Sequence, residues 1–288
     1  ATFAACRLAC DREALLRSKF TQYDVVLVDE MQDLMTAQEL RLLCQSPRPL
    51  VLVGDPMQAI NAFRDEPPCP HCTLHPEALP PDLPLPIEWY GTWRLDPFTV
   101  KFLEEQFGRR MYSCRSPDDL ASVHWRRDLL HPENTLIMCR SNESVIKSMD
   151  VFSDIHVVRG GQLAQNLISA YKDKSQKVPM AKYAQSLSER ELARICAQLK
   201  KRTIDLCNLK DKTAVATVHQ AKGFEYDHCA VHEDLVHPEG ENERNISFVA
   251  FTRHRKSLVV LSDKPIVSLR LHKEREKYRC SAKRKLED

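Results

Sequence analysis

An apolar segment that ends in two adjacent acids is the feature of this sequence that most restricts its fold. Tyr23 to Val28, which is β-branched and apolar without alternation, predicts a strand buried on both faces, and Asp29 and Glu30 follow at once. A second apolar segment, Leu50 to Val53, runs into Gly54-Asp55-Pro56 after an intervening helical pattern. Acids at the carboxyl ends of strands that alternate with helices predict a parallel α/β sheet.

The polar residues at these strand ends suit nucleotide hydrolysis. Of two adjacent carboxylates such as Asp29 and Glu30, one can hold Mg²⁺ and the other can orient and deprotonate an attacking water. The alternative is a solvated acidic turn. Gln58, just past the second strand, can reach a γ-phosphate with a neutral amide, although Gly-Asp-Pro is also a common turn sequence.

The rest of the chain continues the alternation. Residues 67–86 hold 8 of the 17 prolines, which excludes a helix or central strand and predicts an irregular loop between two α/β units. Ser188 and Glu191 form a capping-box pattern at the start of a predicted helix. Further strands are predicted at Asn134–Cys139, His156–Val158, Thr213–Val218, Asp227–His232 and Ser257–Ser262, and further helices at Gln162–Tyr171 and Ser188–Arg202.

Length and composition exclude several classes of protein. A chain of 288 residues suggests one large or two ordinary domains, and without an apolar run of about 18 residues no membrane span is expected. Eleven cysteines without a framework spacing indicate a reducing compartment. Because the net charge is only +2, nucleic-acid binding would depend on a local basic surface.

Taken together and in order, the motifs resemble those of the UvrD/Rep-like superfamily 1 DNA helicases, over roughly residues 20–262. Within that family, the residues of Tyr23–Asp33 and the short region that precedes Thr217–Glu225 look closest to those of the F-box DNA helicases. The matching segments are Asp29–Asp33 (motif II), Gly54–Gln58 with Phe63-Arg64 (III), Trp93-Arg94 (IV), Thr135–Asn142, Val157–Gly161, Thr217–Glu225 (V) and Val249–Arg253 (VI).

The resemblance implies two RecA-like parallel-sheet lobes, the first incomplete at its N-terminus, with ATP and Mg²⁺ as cofactors bound between the lobes. It implies that Asp29 coordinates Mg²⁺, that Glu30 is the catalytic base and that Gln58 senses the γ-phosphate. Arg94 and Arg253 would stabilise charge on the transferring phosphoryl group, a role worth about 10³–10⁵ in rate. The two remaining nucleotide contacts would be Gly223, by close backbone approach, and Glu225, on the ribose.

The resemblance also implies DNA as partner, single-stranded or forked, moved in the 3′ to 5′ direction during repair or replication. Thr217 and His219 would touch the strand, and Phe63 would stack on a base. Each residue has a structural alternative. The two arginines could be surface residues, Glu225 a helix-face carboxylate and Phe63 part of the core.

The sequence departs from the family in its phosphate-binding loop. None of the seven glycines is followed by lysine, so no Gly-x-x-x-x-Gly-Lys-Ser/Thr occurs. The chain is therefore expected to be a fragment of a longer helicase and inactive alone. The competing explanation is a catalytically inactive, helicase-like scaffold that binds DNA or a partner protein. Retention of all five catalytic candidates favours the fragment, and the order of motifs III, V and VI argues against a different P-loop ATPase.

The predicted organisation has three parts. Residues 1–85 form the C-terminal part of the first RecA-like domain, 86–265 the second, with a reduced accessory insertion at about 165–212, and 266–288 a basic tail. Lys283-Arg284-Lys285 in that tail resembles a minimal nuclear import patch, so a nuclear location is expected, or otherwise a cytoplasmic one. Cys69 and Cys72 have metal-like spacing, although a reduced surface loop explains them better. Protein recruiters are possible further partners.

Overall fold

The computed structural model describes residues 20–33, 47–60, 87–116, 122–124, 135–152, 154–173, 180–209 and 212–261. The chain divides into two compact units, residues 1–88 and residues 89–288. The predicted proline-rich loop, the zinc candidates Cys69 and Cys72, Phe63 and the basic tail all lie outside the described residues.

The first unit contains a parallel strand pair. β1 (Val26–Val28) pairs with β2 (Leu50–Leu52) in a register that places Val26 opposite Leu50 and Val28 opposite Leu52. Both strands are shorter than the apolar segments that predicted them, but their parallel pairing is as predicted. Because the strands are parallel, their carboxyl ends lie at the same edge.

The prediction that these two strands are buried on both faces is wrong. Successive side chains of a strand point to opposite faces, and among the residues described in this unit only one face of the pair is covered. Val26 and Val28 are half-buried, whereas Leu27 is 67% exposed and its register partner Val51 is 45% exposed. One face of the pair therefore presents apolar side chains to solvent, with Val25 and Val53 also exposed beside it.

The second unit is built on a seven-stranded sheet in which every pairing is parallel. Its strands follow the order β5-β11-β10-β6-β9-β7-β8. They are β5 (Ser122–His124), β6 (Thr135–Cys139), β7 (His156–Val158), β8 (Thr203–Ile204), β9 (Ala214–Thr217), β10 (Tyr226–His232) and β11 (His254–Leu261). A separate short parallel pair joins β3 (Gly91–Thr92) to β4 (Tyr112–Ser113). The α/β fold with parallel sheets is confirmed.

Seven α-helices are described in the second unit. They are α1 (Pro97–Phe107), α2 (Asn142–Val151), α3 (Gly160–Lys172), α4 (Ala181–Ser186), α5 (Glu189–Lys201), α6 (Val218–Ala221) and α7 (Glu241–Phe251). Leu163 and Leu167 of α3 and Ile195 and Leu199 of α5 pack in one core with residues of the sheet. The segment 165–212 thus contributes helices to this core and, through β8, a strand to its sheet. Among the described helices, none is long and apolar enough to cross a membrane.

Helix α5 begins with the predicted capping box. Ser188 Oγ accepts a hydrogen bond from Glu191 N at 3.3 Å, and the Glu191 carboxylate accepts one from Ser188 N at 2.8 Å. Two of the amides that a helix start leaves without partners are satisfied in this way.

Replacing Ser188 with alanine is expected to lower the free energy of unfolding by about 1 kcal/mol, the usual contribution of such a cap. Ser188→Thr keeps the hydroxyl and should stay near the wild type. Chemical denaturation of both variants, followed by circular dichroism, measures the difference, and equal midpoints for Ser188→Ala and wild type would contradict the role of the cap.

Candidate functional site

The two candidate catalytic acids lie directly after β1. Asp29 and Glu30 are both exposed, and Glu30 N donates a hydrogen bond to Asp29 Oδ1 at 2.8 Å. Glu30 has a φ of 53°, in the left-handed region that costs a residue with a side chain about 1 kcal/mol or more. This turn ends the strand and leaves both carboxylates at its carboxyl edge.

A buried glutamine links these acids to the end of β2. Gln32 is 5% exposed, its Nε2 donates to Glu30 Oε2, and its Oε1 accepts from Asp55 N at 3.1 Å. A Cβ on Gly54 would lie 2.6 Å from Gln32 Oε1 and 2.8 Å from Met31 Cγ, so a side chain at Gly54 would displace this glutamine. Although Gln32 stands within the predicted motif, the sequence alone did not indicate its positioning role.

Gln58 lies at the same sheet edge. It ends the 3-10 turn Pro56–Gln58, which Asp55 caps by accepting from Met57 N at 3.0 Å. The Gln58 Nε2 donates to the other oxygen of Asp55 at 3.2 Å. Asp29, Glu30 and Gln58 thus follow two paired parallel strands, and Gln32 and Asp55 connect the two segments by hydrogen bonds.

In the second unit, Glu225 lies between two arginines. Arg94 Nη2 donates to Glu225 Oε1, and Arg255 Nε donates to Oε2 at 2.9 Å. Burial of Glu225 alone would raise the pKa of its carboxyl, but the charge of Arg94 and the hydrogen bond from Arg255 outweigh burial and lower that pKa. The carboxylate is therefore ionised at neutral pH. The sequence predicted Arg94 and Glu225 as nucleotide contacts but not their pairing, nor Arg255.

Arg253 and Arg94 both form hydrogen bonds to Thr252. The Arg253 side chain is buried, with its Nε donating to Val249 O at 3.1 Å and its Nη2 to Thr252 Oγ1 at 3.0 Å. Arg94 Nη1 donates to the carbonyl oxygen of the same Thr252 at 3.3 Å. The structure thus joins the two predicted arginines, 159 positions apart (253 − 94), through one residue.

The remaining residues of motif V follow β9. Thr217 caps α6, with its Oγ1 accepting from Gln220 N at 3.4 Å and its backbone N donating to Gln220 Oε1 at 3.0 Å. Gly223 has a φ of 84°, which favours glycine, and within the described residues no atom beyond its own chain neighbours lies within 4 Å of a Cβ built on it. Its backbone is therefore open on this side, and its contact with a nucleotide stays a prediction, while the Thr217 hydroxyl has a structural role in the cap.

A charged cluster surrounds the end of β6. Arg140 forms a two-pronged ion pair with Glu243 at 2.5 and 2.7 Å, and its backbone N donates to Asp234 at 3.1 Å. The hydrogen bond from Arg140 lowers the pKa of Glu243, and the charge of His219 contributes to the same shift. His219, a DNA candidate, therefore lies in the electrostatic field of this pair. This pairing was not predicted from the sequence, because its partners are 103 positions apart.

Carboxylate oxygens are the ligands that Mg²⁺ prefers, and the exposed Asp29 fits that requirement. Within the described parts of the chain, no group of three or more His, Cys, Asp or Glu side chains is arranged to hold a metal ion by itself. A metal here would thus need ligands from its substrate and from water, which is how Mg²⁺ is usually bound with nucleotides.

Two family models match the chain, and they lie in the same order as the two units. The UvrD/REP helicase N-terminal domain matches residues 2–68, and the UvrD-like helicase C-terminal domain matches residues 134–264. The chain belongs to the UvrD/Rep helicase family. The first match includes the acids after β1 and the turn after β2. The second includes Glu225 and Arg253 of this UvrD/Rep helicase chain, and Arg94 lies between the two matches.

Among solved structures, similarity extends to helicases titled "The structure of PRRSV helicase" and "Crystal structure of PRRSV nsp10 (helicase)". Both are 13% identical over 84% of this chain, with TM-scores of 0.41 and 0.29. The chain spans 35% and 37% of their lengths, about one third. Among curated proteins, none matches the chain.

Proposed function

We propose that this chain is part of an ATP-dependent DNA helicase that moves 3′ to 5′ and acts in DNA repair or replication. The observation that carries the proposal is the grouping of the candidate residues within each unit. Asp29, Glu30 and Gln58 follow the paired strands β1 and β2, and Arg94 and Arg253 meet at Thr252. Membership of the UvrD/Rep family supports their action on one ATP.

The first unit supplies the residues around the attacking water. Asp29 would hold Mg²⁺, which neutralises charge on the phosphate oxygens when bound. Glu30 accepts the proton of the water. Gln32 orients the Glu30 carboxylate from the buried side, through its hydrogen bond to Glu30 Oε2. Gln58 offers a neutral amide to the γ-phosphate, while Asp55 holds that amide at the sheet edge.

The second unit supplies positive charge and nucleotide contacts. Arg94 and Arg253 donate hydrogen bonds to the phosphoryl oxygens on which negative charge develops. Glu225 is ionised and accepts a hydrogen bond from the ribose, and Gly223 lets the backbone approach the nucleotide. In the described structure Arg94 pairs with Glu225, so part of the arginine's hydrogen bonding would be exchanged for phosphate.

Single-stranded or forked DNA is the proposed partner of the carboxyl end of β9 and of Phe63. His219 contacts the strand, Thr217 holds the start of α6, and Phe63 stacks on a base. Arg140 and His219 both act on the carboxylate of Glu243, which links the proposed strand contact at His219 to the charged cluster at the end of β6. Protein recruiters would bring the motor to its DNA. The basic segment Lys283-Arg284-Lys285 supports a nuclear location. The residues of 23–33 support membership of the F-box DNA helicases.

We also propose that the chain is a fragment whose phosphate-binding loop lies in an upstream segment. The exposed apolar face of the first unit supports this, because Leu27 and Val51 are side by side in register and both open to solvent. In a complete RecA-like lobe, helices cover both faces of such a parallel sheet. An upstream segment would bring that cover together with the lysine that holds the phosphates.

Residues 1–288 alone are therefore expected to show negligible DNA-stimulated ATPase, whereas a longer product with a Gly-x-x-x-x-Gly-Lys-Ser/Thr segment should hydrolyse ATP. The measurement is phosphate release with and without single-stranded DNA, from both proteins at equal concentration. Hydrolysis at an ordinary enzymatic rate by residues 1–288 would refute the fragment proposal. A longer product that binds DNA without hydrolysing ATP would instead favour the inactive scaffold.

A further inference from the structure

We propose that Asp96, Thr99 and His254 form a buried positioning chain that holds Arg94 and Arg253 in a fixed relation for phosphoryl transfer, an inference that rests on the proposed function. None of the three residues belongs to the candidate site. All three are almost fully buried, at 0%, 1% and 1% exposure.

The positioning chain is a continuous set of hydrogen bonds. Asp96 caps α1, with Oδ1 accepting from Phe98 N at 3.0 Å and Thr99 N at 3.2 Å. Its Oδ2 accepts from the Thr99 hydroxyl at 2.6 Å, and that hydroxyl lies 3.3 Å from His254 Nε2. At the other end, His254 Nδ1 meets Phe251 O at 3.1 Å.

The proton positions in the positioning chain follow from its surroundings. Burial lowers the pKa of His254 to about 4, so the ring is neutral at physiological pH. A backbone carbonyl can only accept, so Nδ1 carries the hydrogen that is donated to Phe251 O. Nε2 is then an acceptor. The single hydroxyl proton of Thr99 is donated to the Asp96 carboxylate at 2.6 Å, and it reaches Nε2 at 3.3 Å as the weaker branch of a bifurcated hydrogen bond. Every polar side-chain atom of the three residues has a hydrogen-bonding neighbour.

The positioning chain joins the two short segments that carry the arginines. Asp96 is two residues after Arg94, and His254 follows Arg253 directly. Arg115 adds a parallel link, because its Nη1 donates to Arg94 O at 2.9 Å and to Arg255 O at 2.8 Å.

Aromatic packing supports the same junction from the helices. Phe102 and Phe107 of α1 contact Phe251 of α7, with ring centroids 5.2 and 6.1 Å apart. These contacts hold the two helices against each other. Because ring packing depends little on orientation, they do not determine the positions of Arg94, just before α1, and Arg253, just after α7. Hydrogen bonds are directional, so the positioning chain determines where Arg94 and Arg253 lie relative to each other. A shift of about 1 Å at a reacting centre can cost about 100-fold in rate.

Thr99→Val, in the full-length protein, tests the positioning chain because it removes the hydroxyl and keeps the β-branched shape. We expect kcat of DNA-stimulated ATP hydrolysis to fall about tenfold, with KM for ATP changed less than about twofold. Thr99→Ser restores the hydroxyl and should return kcat to within about twofold of wild type. Amide hydrogen exchange should rise in peptides covering 92–96 and 251–255 but not in β6 and β9.

His254→Asn is a second variant that keeps a donor for Phe251 O and lacks the atom facing Thr99. If Thr99 and His254 act through their one contact, the double variant should lose no more activity than the less active of the two single variants. Wild-type kcat in a folded Thr99→Val protein, or an equal change in KM, would overturn the positioning role. Unchanged exchange at both segments would overturn the link itself. An inactive wild-type full-length protein would instead count against the proposed function, and the exchange result would still decide the link.

Discussion

Replacing Glu30 with glutamine in the full-length protein is expected to lower the ATP turnover rate by about 10²–10⁴-fold, the range that loss of a general base produces. Glutamine has the shape of glutamate, and its side-chain oxygen can still accept the hydrogen bond from Gln32 Nε2. The sheet edge should therefore keep its geometry while the proton acceptor is lost. Nucleotide binding should survive, because Glu30 acts on the water and not on the nucleotide.

Glu104→Gln is the matched control, since it changes an exposed glutamate on α1 by the same atoms. Its turnover should equal that of wild type. Steady-state phosphate release gives the rate, and equilibrium binding of a fluorescent ATP analogue gives the affinity. Unchanged turnover in Glu30→Gln would remove Glu30 as the base. Loss of binding together with turnover would make it a nucleotide ligand.

Arg253→Ala is expected to lower kcat by about 10³-fold while changing KM for ATP far less, because its charge matters most when the phosphoryl group is in transfer. The alanine variant also loses the hydrogen bonds to Val249 O and Thr252 Oγ1. Its folding must therefore be followed by thermal melting. Arg253→Lys keeps the charge without the two-pronged geometry and should recover only part of the rate.

Arg190→Ala, on the exposed surface of α5, controls for the loss of one positive charge and should leave both constants unchanged. Single-turnover measurements with saturating ATP separate the chemical step from product release. A parallel loss in kcat and in nucleotide affinity would demote Arg253 to a binding residue.

The elements of the second unit were largely predictable, because their signals are local in the sequence. β7 has the predicted bounds, His156–Val158, and the capping box at Ser188 starts α5 where predicted. A run of β-branched residues or a helix cap can be recognised from a few neighbouring residues. The ends of β10 and β11 differ from prediction by one and by up to three residues, which is the usual uncertainty of strand boundaries predicted from pattern alone.

Burial and pairing were less predictable, since they depend on residues far away in the chain. The alternation-free apolar run before Asp29 predicted burial on both faces, but what covers a face is decided by other segments. Likewise Arg94 pairs with Glu225 across 131 positions, and Arg140 with Glu243 across 103. No local pattern encodes such partners. Motif resemblance named Arg94 and Glu225 as nucleotide contacts but did not reveal that they bind each other.

The most direct test of the central claim is a crystal structure of the full-length protein with ADP, Mg²⁺ and fluoroaluminate, a mimic of the phosphoryl group in transfer. The proposed function predicts Asp29 on a water of the metal, Glu30 on the attacking water, and Arg94 and Arg253 donating to the fluoroaluminate. Arg253 still bonded to Val249 O and Thr252 Oγ1 and not to the fluoroaluminate, with Arg94 remote from the nucleotide, would contradict it.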